Sequence, residues 1–299
     1  MPRPCGMIGT MELKEHVSIR QKTTMRIGGV VRYLADLKMK DDVQEAVRFG
    51  AEQNLSLLPL GSGSNTIFAD GEVDVFVVQV KNDALTVQGN RVTVGAGKNL
   101  AMLINELAER GLDLSSLTGI PGTVGGAIFG NAGQGPKGIW IDSFVESVTA
   151  YVDGEWRILS KDECGFAYRE SIFKNGKYRA PIIWEVTLAL PSGNPDAVKA
   201  NIEILLRKRI ETQPHLKTAG SCFKAVGDTP AWKLIDDAGL RGFKVGGVEI
   251  SPKHANFLIN AGEATFADAV GVVEMVKQKV QQGLEVEMRF IEADGTIRL

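Results

Sequence analysis

The sequence predicts an α+β protein folded in two or three lobes, and three observations carry that expectation. The chain has 299 residues, more than one typical domain holds. Short β-branched runs alternate with stretches of helical spacing along most of its length. Two glycine-rich stretches, residues 58–70 and 119–135, interrupt that alternation. Hydrophobic residues at 44% and charged residues at 23% suit a globular chain with a sizeable core. A formal charge of -2 gives no electrostatic case for nucleic acid or an anionic membrane. No apolar run approaches the ~20 residues of a membrane span, and the N-terminus lacks an apolar signal core, so a cytoplasmic protein without membrane insertion is expected. Cys5, Cys164 and Cys222 are odd in number and scattered, which argues against a disulfide framework and a metal cluster.

The elements follow in order. Residues before about Ser18 show no period and are expected to fray. Gly28 and Gly29 read as a turn into a strand ending near Leu37. Asp41 is positioned to cap a helix whose Val43, Ala46, Val47 and Ala51 fall at helical spacing. Leu55 to Leu60 is a buried strand, so the opening unit is β-α-β. Val73 to Val80 is the next strand, and Gly89-Asn90 turns a hairpin between Leu85 to Gln88 and Arg91 to Val94. Asn99 caps a helix that Gly111 ends, with Met102, Leu103 and Leu107 on its apolar face. Phe144 to Leu159 is a hairpin turning at Asp153-Gly154, and Ser160 with Glu163 has capping-box spacing for a short helix. Ala180 to Leu190 is a long apolar strand.

Pro191 to Pro195 is the clearest linker signal, and a domain boundary is placed there. Asp196 to Ile210 is an amphipathic helix ending in Arg207, Lys208 and Arg209. Strands near Ser221 to Val226, Val245 to Ile250 and Phe257 to Asn260 alternate with helices at Pro230 to Ala238 and Thr265 to Gln282. In the terminal strand, Leu284, Val286, Met288 and Phe290 share one face, and Glu285, Glu287 and Arg289 the other.

The two glycine stretches carry the functional signal. Leu58 to Asp70 runs from a strand into a loop with almost no side chain, where Gly61 and Gly63 can take positive φ and consecutive N–H groups can converge on an anion. A pyrophosphate is the natural guest. Gly119 to Gly135 has small residues where a flat ring could lie on bare main chain, so together they suggest an extended dinucleotide spanning both loops. Neither a Gly-X-Gly-X-X-Gly fingerprint in the first loop nor a P-loop is present.

Five collinear motifs then resemble the flavoenzyme family of UDP-N-acetylenolpyruvoylglucosamine reductases. They are Gly-Ser-Gly-Ser-Asn at 61–65, Ile-Pro-Gly-Thr-Val-Gly-Gly at 120–126, Tyr-Arg-Glu-Ser-Ile-Phe-Lys at 168–174, Gly-Ser-Cys-Phe-Lys at 220–224 and Leu-Glu-Val-Glu-Met-Arg-Phe at 284–290. The resemblance implies an FAD-binding unit of the vanillyl-alcohol-oxidase/PCMH type in two lobes, residues 1–80 and 81–193, and a C-terminal α+β substrate-binding domain, residues 194–299. The short segment between Lys174 and Arg207 resembles the compact second type of the family. The implied reaction uses NADPH as co-substrate to reduce the enolpyruvyl ether of a UDP-sugar to the lactyl ether, making UDP-N-acetylmuramate. By resemblance FAD is held without a covalent link by Gly61, Ser62, Gly63, Ser64, Asn65, Gly119, Ile120, Pro121, Gly122, Thr123, Gly125, Gly126 and Asn131.

In that reaction hydride arrives at the vinyl CH2 and negative charge lands alpha to the carboxylate, so the site needs stabilisation and a proton donor. The resemblance makes Ser221 the donor and Arg169 with Glu287 the polarising pair, Glu287 neutral and donating. It also puts Tyr168, Arg209, Lys224 and His254 at the substrate. Five of them have a bland reading beside the functional one: Ser221 a loop serine, Arg169 a surface ion pair with Glu170, Glu287 a solvated strand face, Arg209 a helix cap, His254 a satisfied core histidine. The collinear order outweighs the bland readings of Ser221, Arg169 and Glu287. The chain departs from the family pattern at Ala225-Val226, where Asn-Pro is usual, and at Gln134-Gly135-Pro136, where Ala-Tyr-Gly is common. A flavin oxidase, or a flavin-binding sensor with no activity, are the rival readings. A monomer or weak oligomer is expected.

Overall fold

A computed structural model describes residues 4–8, 11–135, 138–215 and 217–298. The first sheet has the order β1 (Pro4–Ile8), β2 (Met11–Ser18), β3 (Val30–Leu37), β6 (Glu72–Val80), β4 (Ser56–Pro59). Helix α1 (Lys40–Glu52) crosses from β3 to β4, both of which run parallel to the β6 strand between them. The β-α-β unit is therefore present with a later strand inserted in its middle. Because β6 is covered on both sides it reads as an almost continuous apolar run. Its Val73, Val75 and Val77 enter one core, and Phe76 and Val78 enter another under α1.

Two expectations fail in this region. The described residues before Ser18 do not fray: β1 and β2 pair antiparallel, and Met11, Leu13 and Val17 are buried. Alternation over so few residues is easily missed when charged side chains fill the other face. Asp41 is exposed and does not provide the cap; the buried neighbour Asp42 accepts the Lys38 and Met39 N–H groups at 2.7 and 2.8 Å. An acceptor inside the first turn serves the orphan amides as well as one before it.

Residues of the first glycine stretch contain a strand that its loop-like composition hides, β5 (Thr66–Phe68). The second sheet, in the order β10 (Glu155–Ser160), β9 (Val145–Val152), β11 (Ile182–Ala189), β8 (Arg91–Gly95), β7 (Leu85–Gln88), is antiparallel throughout. The β9–β10 hairpin turns on Asp153 and Gly154, both at positive φ (49° and 86°), as a two-residue primed turn requires. Helix α2 (Leu100–Ala108) and helix α3 (Val124–Phe129) are each capped by a side chain, Asn99 and Thr123. In α2, Leu103 and Leu107 are buried but Met102 is exposed. The Ser160 and Glu163 capping bonds form, yet the chain makes only a turn and no helix.

Helix α4 (Pro195–Thr212) starts at the linker, with Asn194 accepting from Asp196 and Ala197. Its Val198 and Ile202 join the core of the second sheet. The third sheet orders β12 (Thr218–Ser221), β15 (Phe257–Asn260), β14 (Val248–Ile250), β13 (Lys244–Val245), with α5 (Ala231–Asp237) and α6 (Phe266–Lys279) beside it. The strand expected from Ser221 onward thus lies three residues earlier. The terminal strand is also shorter than expected: β16 (Arg289–Ile291) pairs in parallel with β5 and antiparallel with β17 (Ile297–Arg298). Leu284, Val286, Met288 and Phe290 are nevertheless all buried on one side. One hydrophobic core runs from the first sheet through β5 and β16 into the third.

Candidate active site

Both glycine stretches and the strands around Ser221 and Glu287 converge on one cavity of about 740 Å³. The first loop is tied down through its carbonyls. Gln79 Nε2 donates to the Gly61 carbonyl at 2.9 Å, Thr24 N–H to Gly63 at 3.2 Å, and Arg289 N–H to Asn65 at 3.0 Å. No N–H of residues 61–64 donates to a described residue. A run of such amides at the cavity wall is suited to an anion. Gly63 has φ +62°, and a Cβ there would fall on the Lys22 carbonyl. At Gly61 a Cβ would come within 2.6 Å of Thr123 Oγ1, so the two glycine stretches touch. Ser64 Oγ adds a hydrogen bond of 3.1 Å to the Pro121 carbonyl.

The adjoining wall is built by backbone pairing. Phe223 bridges Val286, Glu287 N–H donates to the Cys222 carbonyl at 2.7 Å, and Lys224 N–H donates to Glu285 at 2.9 Å. This puts Ser221 and Glu287 on neighbouring chain segments, and both line the cavity. Glu287 is not on a solvated strand face. Its Oε1 lies 3.2 Å from Arg169 Nε, with side-chain exposures of 16% and 13%. Burial pushes the Glu287 carboxyl up from its ordinary value, while Arg169, Lys174 and Lys224 pull the other way.

Arg169 sits in a tight turn closed by two hydrogen bonds of 3.1 Å between Ala167 and Glu170. Its φ is +59°, a left-handed conformation that costs an arginine about 1 kcal/mol. Its Nη2 donates to the Gly133 carbonyl at 2.9 Å. Arg209 also lines the cavity, with Nη1 donating to the Thr118 carbonyl at 3.2 Å and Nε buried without an acceptor among the described residues. Burial and the nearby Arg169 lower its pKa to about 10.

The remaining expected site residues stand elsewhere. Asn131 is fully buried and off the cavity, where its Nδ2 holds the Ala167 carbonyl at 2.9 Å. Tyr168 does not line the cavity either; its hydroxyl accepts the Ala225 N–H at 3.2 Å. Lys224 pairs with Glu170 at 2.7 Å and Glu285 at 3.2 Å. His254 packs its ring on the cavity-lining Phe257 at 4.8 Å, without reaching the cavity itself. Of the second departure from the family pattern, Gln134 donates to the Ser116 carbonyl at 2.8 Å, and Pro136 lies outside the described residues.

Two further lining residues escape the sequence reading. Arg289 lies deep in the wall, 5.1 Å from the Phe129 ring, and pairs with no carboxylate among the described residues; burial pushes it down to about 10. Its signal in the sequence is its place two residues after Glu287 on the polar face. Lys174 ends the motif at 168–174 and donates from Nζ to the Arg169 carbonyl at 2.8 Å. Among the described lining residues Arg26, Arg169, Lys174, Arg209, Lys217 and Arg289 face the single carboxylate of Glu287. Such a cavity selects anions. The cradle at 61–64, the small residues at 119–126 and the unmatched Arg289 fit a flavin dinucleotide, whose pyrophosphate and electron-accepting ring both carry or gain negative charge.

The fold and this cavity define a flavoprotein with an FAD-binding unit of the PCMH type and a C-terminal domain of its own. Residues 31–159 match the FAD binding domain family, and residues 213–290 match the family described as UDP-N-acetylenolpyruvoylglucosamine reductase, C-terminal domain. UDP-N-acetylenolpyruvoylglucosamine reductases of Thermotoga petrophila and Clostridium novyi are 36% and 35% identical, over 89% and 93% of this chain and 93% and 90% of theirs. The crystal structure of the reductase from Thermus caldophilus is similar with a TM-score of 0.80 at 30% identity, covering 97% of this chain and 99% of that one. The chain belongs to the UDP-N-acetylenolpyruvoylglucosamine reductase family, the FAD oxidoreductases of peptidoglycan precursor synthesis. Among the described residues no helix is long and apolar enough to cross a membrane.

Proposed function

We propose that the chain reduces the enolpyruvyl ether of a UDP-N-acetylglucosamine derivative to UDP-N-acetylmuramate, in the cytoplasm and with NADPH as electron source, and that Ser221 delivers the proton. The observation that carries this reading is the meeting of Ser221 with the Arg169–Glu287 pair in one cation-lined cavity beside the glycine cradle. FAD, which the amides of residues 61–64 and the small residues at 119–126 would hold, would supply two-electron transfer between NADPH and the vinyl carbon of the sugar nucleotide.

What falls to the chain is the charge left on the carbon alpha to the substrate carboxylate. Arg169 offsets it as a fixed cation. Glu287, raised by burial, is suited to stay protonated and donate a hydrogen bond to the same carboxylate, where an ionised group would oppose the charge. Ser221 then protonates the carbon; a hydroxyl is a weak acid, but the carbanion is a far stronger base. Arg209, whose Nε has no acceptor among the described residues, is assigned to an anionic group of the sugar nucleotide. Residues 1–80 and 81–193 are assigned to the cofactor and residues 194–299 to the substrate. Packing of the α4 inner face on the second sheet supports a substrate domain held against the cofactor unit.

Anaerobic mixing tests the reading. NADPH is expected to bleach the flavin absorbance, and the enolpyruvyl sugar nucleotide to restore it; restoration by air alone at a similar rate would point to an oxidase. Ser221→Ala is expected to leave bleaching within about twofold and to slow the second half-reaction at least ~100-fold, since only that half needs a proton. Equal slowing of both halves would contradict the assignment.

A further inference from the structure

We propose that Lys174 is a positioning residue, which holds the Arg169 guanidinium in place by locking the turn that carries it. The proposal rests on the reading of Arg169 given above.

The chemistry of Lys174 is otherwise hard to account for. Its side chain is only 10% exposed, and burial lowers its pKa. A withdrawn ammonium normally finds a carboxylate, yet the nearer claim on Glu170 belongs to Lys224, at 2.7 Å against 3.7 Å for Lys174. The shortest bond made by Lys174 goes to a neutral main-chain carbonyl, that of Arg169, at 2.8 Å. An apolar side chain would fill the space without the desolvation cost.

That carbonyl is the one whose direction decides where Arg169 points. The turn is anchored at both shoulders: Asn131 Nδ2 holds the Ala167 carbonyl at 2.9 Å, and Ser171 Oγ donates to the Phe129 carbonyl at 2.7 Å. Between the anchors Arg169 keeps a φ of +59°, from which it would relax to right-handed geometry if nothing opposed it. Relaxation would swing the carbonyl off Lys174 and carry the side chain away from the Gly133 carbonyl and from Glu287. The Lys174 bond opposes that motion, because a charge-assisted hydrogen bond exists only in the left-handed arrangement. The sequence agrees: Lys174 closes the segment that Tyr168 and Arg169 open, five residues on, where a long flexible side chain can fold back over the turn.

A double-mutant cycle on the FAD-loaded protein tests this, reading both half-reactions by stopped flow. Lys174→Met is expected to slow the second half-reaction by roughly 10- to 100-fold, the scale of a guanidinium displaced by about 1 Å. Flavin bleaching by NADPH should be slowed less than the second half-reaction, because the lock holds a group that only the second half needs. In an Arg169→Ala background the same change should cost less than about twofold, since a lock has nothing left to hold. An equal cost in both backgrounds would mean that Lys174 touches the substrate itself, and would overturn the proposal. If Arg169→Ala alone leaves the second half-reaction intact, the reading of Arg169 fails first, and the proposal with it. Should Lys174→Met lose its flavin, Lys174→Gln, which keeps the position polar but is uncharged and one bond shorter and so weakens the bond to the Arg169 carbonyl, takes its place in the cycle: a cost confined to the Arg169 background supports the lock, and an equal cost in both overturns it.

Discussion

His254 stands behind the cavity-lining Phe257 and off the cavity wall itself. Desolvation, with Arg241 and Arg209 nearby, pushes its pKa from 6.5 down to about 4, so the folded chain holds it neutral. Between those values the unfolded chain binds the extra proton and the folded chain does not. Stability from His254 is therefore complete above about pH 6.5 and lost as pH falls through about 4, by at most about 3 kcal/mol. Denaturant titrations at pH 7 and pH 4 should show His254→Asn losing less stability on acidification than the parent chain. The Asn is chosen because its carbonyl can take over the Asn256 N–H that His254 Nδ1 now accepts at 3.3 Å. Ser221, Arg169 and Glu287 are legible as a set from collinear motifs. Lys174 and Arg289 are not, because the bond of Lys174 to a carbonyl and the place of Arg289, with no carboxylate partner among the described residues, leave no pairwise mark in the sequence, and the i,i+4 spacing of Glu170 and Lys174 does not point to the cavity.

Elements with strong local signals are legible in the sequence, and those stabilised from a distance are not. The hairpin at Asp153-Gly154 and the Asn99 cap are written in neighbouring residues, and both form as expected. The Ser160–Glu163 pair is equally local, but capping bonds without a following apolar face do not sustain a helix. Strand β5 is hidden because its partner is β16, at the far end of the chain. Strand β6 is betrayed by its apolar run, and the structure explains the run by two cores meeting on it. Phe76 is fully buried there, edge-on to Phe49 at 5.5 Å and Tyr33 at 6.2 Å. Phe76→Ala should cost about 3–5 kcal/mol in chemical denaturation, by cavity formation under α1. Its effect on FAD affinity should be small, because Phe76 packs among the aromatic rings under α1 and does not line the cavity.

For the molecule as a whole, the composition gives no case for nucleic acid or spanning helices but cannot show how the terminal residues close the structure. Parallel pairing of β16 with β5 sets Arg289 beside the first glycine loop, and Arg289 N–H holds the Asn65 carbonyl. Removing residues from Leu284 onward should leave much of the far-ultraviolet circular dichroism yet abolish FAD retention on gel filtration. Retention at parental affinity would show that the loop holds its shape without β16.

The same pairing dictates a timetable. Ribosomes release Thr66 long before Arg289, so a growing polypeptide exposes a half-made nucleotide cradle whose lining edge has no neighbour. Coenzyme capture is then expected only once Arg289 has emerged to close the cradle, and not while the chain carries the first loop alone.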